Sequence, residues 1–426
     1  MQIHVVTAGE SLFSIALRYG VPLEQLILDN GINPAVDLVV GQTIVLRFPL
    51  ETYTVRSGDT LDSIARKTGL SLRVLLANNP ALAGADSLTV GQLLTLRFEN
   101  EPTASLAVVG YAYPPIATGL LRSTLPYLTG LAPFTHRVTA EGGLVAPADE
   151  ILRTMAGELG LASVLQLSAT DEDGRFQSDR AALILADEAL QSKLIAQIGQ
   201  TLYRKGYCAI DVDFEYVYPE DARRYADFIR RLTTIFNPFG IPVTVALAPK
   251  TADDQSGLLY EGHDYGALGA AANSVLLMTY EWGYTYGPPR PVAPLPEVQA
   301  VVDYALTRIP AEKIRMGIPN YGYDWTLPFV SGVSRATSVG NTEAVSIARQ
   351  HGAEILFDET SQSPFFTYTA DDGNPHIVHF EDARSVEAKL SLAIDRKLYG
   401  VNYWNLMRPF PQNWRVLAGL SRIRPS

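Results

Sequence analysis

In the segment 208–215, CAIDVDFE, three carboxylates stand two residues apart: Asp211, Asp213 and Glu215. Alternate side chains of an extended strand leave on the same face, so this spacing sends all three to one side and Ile210, Val212 and Phe214 to the other. Carboxylates converging in a confined space do not all ionise cheaply, and at least one is expected to hold its proton at neutral pH. A held proton is what a general acid needs. Two other readings fit an acidic alternation. One is a solvated edge strand, against which the apolar opposite face argues. The other is a Mg²⁺ or Ca²⁺ site, against which the aromatic ends of the neighbouring strands argue, since these suit sugar rings. Six His and one Cys leave little for a Cys/His metal cluster. No metal and no cofactor is expected.

A strand can hold such a row inward only if others enclose it. From 104 to 426, apolar runs at 106–113, 132–138, 163–169, 208–215, 243–249, 274–280, 314–322 and 400–406 alternate with helical stretches such as 190–203 and 222–235. Continuous Val, Ile, Leu and Tyr runs separated by helices predict buried parallel strands, hence an α/β chain folded as a (β/α)₈ TIM barrel. The carboxylate strand is the fourth, its row faces the interior, and the loops at the C-terminal strand ends hold the site. The segment 323–380 breaks the alternation, being rich in Thr, Ser, Asp and Gly, and is expected to form a small α+β insertion on one wall of the cleft.

The chain has 426 residues, too many for one ordinary domain. Its 47% hydrophobic and 19% charged residues belong to a globular protein with a large core. A formal net charge of −11 supplies no overall attraction to nucleic acid or anionic membrane, so a neutral ligand is expected and nucleic acid is not. No run of about 18 apolar residues predicts a membrane span. The start, MQIHVVTAGESLFSIALRYG, lacks the basic and apolar regions of a secretory signal, which predicts that the protein stays where it is made or leaves by another route. No motif assigns an oligomeric state.

The first hundred residues repeat themselves. Residues 5–30 match 54–79, with Gly9 over Gly58 and Gly20 over Gly69, and VVGQTIVLRF matches TVGQLLTLRF after one residue inserted between Asn79 and Gly91. Each copy reads as strand, helix, helix, strand. The pattern resembles the LysM module, over 2–48 and 52–98, by SGDTL with SIA, by Asn-Asn-Pro at 78–80 and by VGQ in both copies. The resemblance implies a shallow groove for N-acetylglucosamine chains, formed by Gly9, Glu10, Ser11, Asn30 and Ile32 in the first copy and by Gly58, Asp59, Thr60, Asn79 and Pro80 in the second. Taken singly, these residues also read as ordinary turn and cap chemistry. Tandem copies raise affinity for a repetitive polymer.

The strand-four row resembles the DxxDxDxE signature of glycoside hydrolase family 18, the chitinases and related N-acetylglucosaminidases. MTYEW at 278–282, GIPNYGYDW at 317–325 and Trp404 on the eighth strand support it. The resemblance implies a retaining, substrate-assisted hydrolysis. Glu215 protonates the glycosidic oxygen, the substrate's own acetamido oxygen attacks, Asp213 orients the acetamido nitrogen, and Asp211 shares a proton with Asp213. Tyr280 bonds the acetamido oxygen, Trp404 floors the sugar, and Tyr321, Asp324, Glu281 and Tyr111 are further cleft contacts. This sequence departs from the signature at Cys208, expected to be a buried packing residue that shortens the carboxylate row, and at Glu281, where the family has Asp. Two LysM copies, a signal-less start, MTYEWGY and HIVHFEDARS (376–385) together resemble the spore cortex-lytic N-acetylglucosaminidases. That implies peptidoglycan of the spore cortex as substrate during germination, and a place in the spore coat or cortex; without it, the expectation is the cytoplasm. A chitinase, or a glycan-binding lectin without activity, are the alternatives.

Overall fold

The computed structural model describes residues 1–82 and 88–425. Eight parallel strands close into a barrel: Ala104–Ala112, Gly130–Pro133, Ala162–Ser168, Ala209–Asp213, Val243–Leu247, Ser274–Leu277, Ile314–Pro319 and Gly400–Trp404, the last pairing with the first. Helices follow the strands in the predicted manner, Glu188–Lys205 and Ala222–Phe236 among them. The strand alternation divides the core. Ile210, Val212 and Phe214 join the large cluster between strands and helices, while Val109, Tyr111, Ala132, Val164, Ala246 and Leu276 fill the barrel interior.

Several strands stop short of the apolar runs that predicted them. The run 132–138 divides into the barrel strand Gly130–Pro133 and a separate short strand, His136–Val138. The fourth strand ends at Asp213 and the sixth at Leu277, so Glu215 and Tyr280 stand on the loops beyond. Both loops leave through the left-handed region without glycine, at Tyr216 (φ 55°) and Glu281 (φ 69°). Such residues cost about 1–2 kcal/mol each and persist only where surrounding structure holds them.

The insertion is a five-stranded antiparallel sheet, formed by Gly322–Thr326, Thr337–Val339, Leu356–Asp358, Ser363–Thr369 and Pro375–His379, with the helix Asn341–Gln350 packed on it. Each N-terminal repeat is a two-stranded antiparallel sheet with two helices. The extra residue of the second repeat falls between Asn79 and Gly91, a stretch that includes 83–87, outside the described residues. No helix among the described residues is long and apolar enough to cross a membrane.

Both repeats are docked on the barrel. In the first, Ile355 N donates to Val40 O (2.9 Å). A Cβ on Gly41, whose φ is +84°, would lie 1.8 Å from Ile355 O. Glycine is therefore required there for the backbones to meet. Arg415, on the last helix Pro411–Leu420, is 2% exposed and pairs with Asp29 of the first repeat at 3.2 Å, while its Nη1 donates to Ala77 O of the second at 2.6 Å. One guanidinium thus joins three units. Arg415→Ala leaves Asp29 buried without its cation and is expected to cost about 3–5 kcal/mol. Thermal unfolding measures the loss, and limited proteolysis is expected to cut first within the N-terminal hundred residues.

Candidate active site

The inward row of the fourth strand is held from neighbouring strands. Asp211 Oδ2 accepts from Tyr111 OH of the first strand (2.6 Å), and Tyr111 OH accepts in turn from Asn402 Nδ2 of the eighth (3.2 Å). Asp213 Oδ2 accepts from Gln166 Nε2 of the third strand (3.2 Å). No hydrogen bond joins Asp211 to Asp213, and each keeps a buried Oδ1 without a partner. Burial pushes Asp211 up to about 6, against the pull of Tyr111 and of the Arg315 guanidinium. Asp213 is raised well above the usual carboxylate range by burial, then by the charges of Glu215 and Asp211. Glu215 is raised to about 7, first by burial and then by Glu281. These shifts arise from low dielectric plus like charge, and they leave a protonated carboxyl at the barrel mouth near neutral pH.

Glu281 retains surface exposure, yet its carboxylate is hemmed in by two tyrosines. Tyr321 OH donates to Oε1, and Tyr323 OH lies 3.1 Å from Oε1 and 3.3 Å from Oε2. Loss of surrounding water raises its pKa while the two hydroxyls oppose the rise. The longer side chain at this position thus has a receptor built for it. Tyr280 packs against the interior cluster, and a Cβ at Gly317 would lie 2.6 Å from its ring, so that strand-seven position admits the tyrosine only as glycine. Trp404 stands edge-on to Phe134 (4.8 Å between centroids) and Tyr113 (6.1 Å), an aromatic corner over the carboxylates.

Asp211, Asp213, Glu215, Tyr280, Glu281, Tyr321 and Trp404 are therefore brought to one end of the barrel. Three expectations take a different form. Asp324 is not at this site: alternation along Gly322–Thr326 turns it away from the face of Tyr323 and Trp325, and its carboxylate accepts from Tyr368 OH (2.6 Å) and pairs with His376 Nδ1 (2.8 Å). Tyr111 is 4% exposed and its hydroxyl is engaged by Asp211, so it orients that carboxylate. Cys208 is exposed, and its even number puts it on the opposite face from the row, with Sγ 3.5 Å from Ser163 O. The inward position nearest the row is Ala209, which packs in the interior cluster, so Cys208 removes no carboxylate from that face. Gln166, Asn402, Arg315 and Tyr323 were missed, although the first three are polar residues interrupting apolar strand runs, a pattern that marks inward contacts in a barrel. Among the described residues no group of three His, Cys, Asp or Glu side chains is arranged to hold a metal ion.

In the N-terminal repeats the expected groove residues are largely engaged within their own modules. Gly9 and Gly58 take positive φ at the first turn. Glu10 accepts from Thr7 N and pairs with His4 and Arg18; Asp59 accepts from Arg56 N and Tyr53 OH. Ser11 and Thr60 are N-caps in capping boxes. Asn30 and Asn79 are buried and lash the second helix to the returning strand, each through an amide that donates to two carbonyls and accepts a strand N–H, and Asn30 Oδ1 accepts a second hydrogen bond from Gln412 Nε2 of the last helix. Ile32 belongs to the core of its module, and Pro80 opens a short 3₁₀ turn.

If Glu215 donates a proton, turnover falls as pH rises through about 7, and kcat/KM against pH reads the limb directly. Removing the neighbouring charge with Glu281→Gln is expected to shift that limb to lower pH. Because the folded-state pKa of Glu215 lies above its unfolded value, the stability it contributes is complete below the unfolded pKa and is lost as pH rises through about 7. Glu215→Gln is therefore expected to stabilise the fold relative to the parent at about pH 8, by on the order of 2 kcal/mol after allowance for its solvent contact, and little at about pH 4. Thermal melts at both values check the sign.

The profile of the glycosyl hydrolases family 18 matches residues 174–408, and that of the LysM domain matches 4–47 and 53–97. Over 422 residues the chain is 39% identical to the cortical fragment-lytic enzyme of Bacillus subtilis, covering 98% of this chain and 97% of that one. It is 36% identical to the cortical fragment-lytic enzyme of Bacillus anthracis, covering 98% of each. The crystal structure of the Bacillus cereus spore cortex-lytic enzyme SleL superposes with a TM-score of 0.84 at 36% identity, covering 99% of this chain and 98% of that one. With the carboxylate row at the mouth of a closed barrel and two modules docked beside it, the chain belongs to glycoside hydrolase family 18 and carries two LysM domains.

Proposed function

We propose that this glycoside hydrolase cleaves β-1,4 linkages at N-acetylglucosamine in cortex peptidoglycan fragments, with retention of configuration and with help from the substrate's acetamido group. The observation that carries the reading is the Glu215 carboxyl, held protonated near neutral pH by burial and by Glu281. In the proposed first step Glu215 gives its proton to the glycosidic oxygen, the bond from C1 to that oxygen breaks, and the acetamido oxygen closes on C1. Asp213 holds the acetamido N–H and so stabilises the positive charge that develops, while Asp211, oriented by Tyr111, sustains Asp213. Tyr280 bonds the acetamido oxygen. In the second step the Glu215 carboxylate takes a proton from water as the oxygen of that water attacks C1 from the face the leaving group left, and the bond from C1 to the acetamido oxygen breaks, restoring the acetamido group. Such assistance replaces the carboxylate nucleophile of the two-carboxylate scheme.

The choice of cortex over chitin rests on the cortical fragment-lytic relatives, which align along almost the whole chain. The same relatives support a proposed setting at the spore cortex during germination. Digestion of purified cortex fragments and chitin oligomers, side by side, tests the choice; faster release from chitin would overturn it. Glu215→Gln is expected to lower kcat by about 10²–10⁴-fold on either substrate, and equal product release by parent and variant would remove Glu215 from the role. Anomeric NMR of the first product is expected to report the β-configuration.

A further inference from the structure

Glu215 sits in the short turn 214–217 that leaves the end of the fourth strand, and two consecutive residues from elsewhere in the chain hold that turn on either side of it. Ahead of Glu215, Phe214 O accepts from Nε2 of His263 (3.0 Å). Behind it, the Val217 backbone lies so close to Gly262 that a Cβ there would stand 2.2 Å from Val217 O. Gly262 has φ −75°, a value open to any residue, so the close approach and not the backbone angle excludes a side chain. The pair lies between the short helix Leu258–Glu261 and the helix Tyr265–Ala271, in the connection from the fifth strand to the sixth.

His263 is fully buried, and both ring nitrogens are engaged. Nδ1 accepts from Ala248 N, just past the end of the fifth strand (2.8 Å), so the neutral ring carries its hydrogen on Nε2, toward Phe214 O. Burial pulls the pKa of His263 down to about 4, against the bond to Phe214, and the charge of Lys250 adds to the pull. The ring is therefore neutral around pH 7. Lys250, 3% exposed, donates its Nζ to His263 O (3.2 Å) and to Asp253 O (3.1 Å), which fixes the histidine from behind. Phe214 is gripped from the helix side as well, stacked on Tyr225 (5.8 Å between centroids) and Phe228 (6.1 Å). A buried imidazole with both nitrogens committed is no proton carrier. It ties together the ends of two adjacent parallel strands.

The turn so held is strained: Tyr216, the residue after Glu215, has φ 55° without being glycine, a conformation that persists only where its surroundings impose it. We propose that Gly262 and His263 are positioning residues, which clamp both ends of this turn and so aim the Glu215 carboxyl inward, toward Glu281, and not outward into water. Their effect on turnover rests on the proposed role of Glu215 as the acid; their effect on where its side chain lies does not.

The two bonds of the histidine can be separated. In His263→Asn the side-chain oxygen takes the place of Nδ1 and the bond to Phe214 is lost; in His263→Gln the longer amide reaches Phe214 O and restores it. Gly262→Ala pushes the turn from its other end and removes no hydrogen bond. With glutamate labelled at the side-chain carboxyl carbon, ¹³C NMR of the full chain without substrate follows the Glu215 signal, identified by its absence in Glu215→Gln. The carboxyl is expected to titrate at about 7 in the parent and in His263→Gln, and about one pH unit or more lower in His263→Asn and Gly262→Ala, because a carboxyl turned outward regains water. On cortex fragments the same two variants are expected to lose kcat about tenfold or more, with KM changed by less than about twofold, and the alkaline limb of kcat/KM is expected to move with the titration. An unchanged Glu215 titration in folded His263→Asn and Gly262→Ala, or a His263→Gln that behaves as His263→Asn does, would overturn the proposal, whatever the loss in melting temperature. Full activity of Glu215→Gln alongside the shifted titration would instead remove Glu215 from the acid's role and leave its placement by Gly262 and His263 standing.

Discussion

Everything at the active end of the barrel answers to one electrostatic constraint: two carboxylates on the inner face of one strand, enclosed by seven others, and a third on the loop at its end. Ionised together they would repel one another in a medium that screens little. Tyr111, itself held by Asn402, and Gln166 supply donors to the lower part of the row, and Arg315 adds a positive charge from the seventh strand. The mouth receives no such relief. Glu215 faces Glu281 instead, and the proton stays where a leaving group would need it. The two left-handed residues, Tyr216 and Glu281, are the backbone counterpart of this arrangement, because each turns the chain immediately beyond a residue of the site.

Much of this was legible in the sequence because it depends on periodicity. Period-two alternation named the face shared by Asp211, Asp213 and Glu215, and alternating strands and helices named the barrel. Periodicity does not say where pairing stops, however, and the predicted strands ran on through Glu215 and Tyr280, which stand on loops. Nor does a motif carry its face with it. Asp324 and Tyr323 are adjacent in GYDW, yet only the tyrosine reaches Glu281, and Cys208 occupies a signature position while facing away from the row. Gln166 and Asn402 were hidden by their apolar neighbours. Their roles depend on inter-strand register, with Gln166 directly opposite Asp211, and register is set by closure of the whole barrel.

The LysM domains teach the same lesson at smaller scale. Asn30 and Asn79 are polar residues in matching positions of a glycan-binding module, which invites a ligand role, but each is buried and joins helix to strand, and Asn30 also accepts from Gln412 of the last helix. A repeat unit with so few core residues must hold its loops with side-chain amides and capping boxes. Its recurring polar residues therefore report first on folding.

The docking of those modules also fixes how grip and cleavage are related. A module on a flexible tether would search a sphere around its anchor, and the catalytic cleft could reach any bond within it. Here Arg415, Gly41 and the backbone bond between Ile355 and Val40 set the modules at a constant vector from Glu215. On the proposed function, a strand gripped by a module would offer the cleft only those linkages that lie a fixed distance away, so that the fold itself would act as a caliper for the spacing of cuts along the polymer.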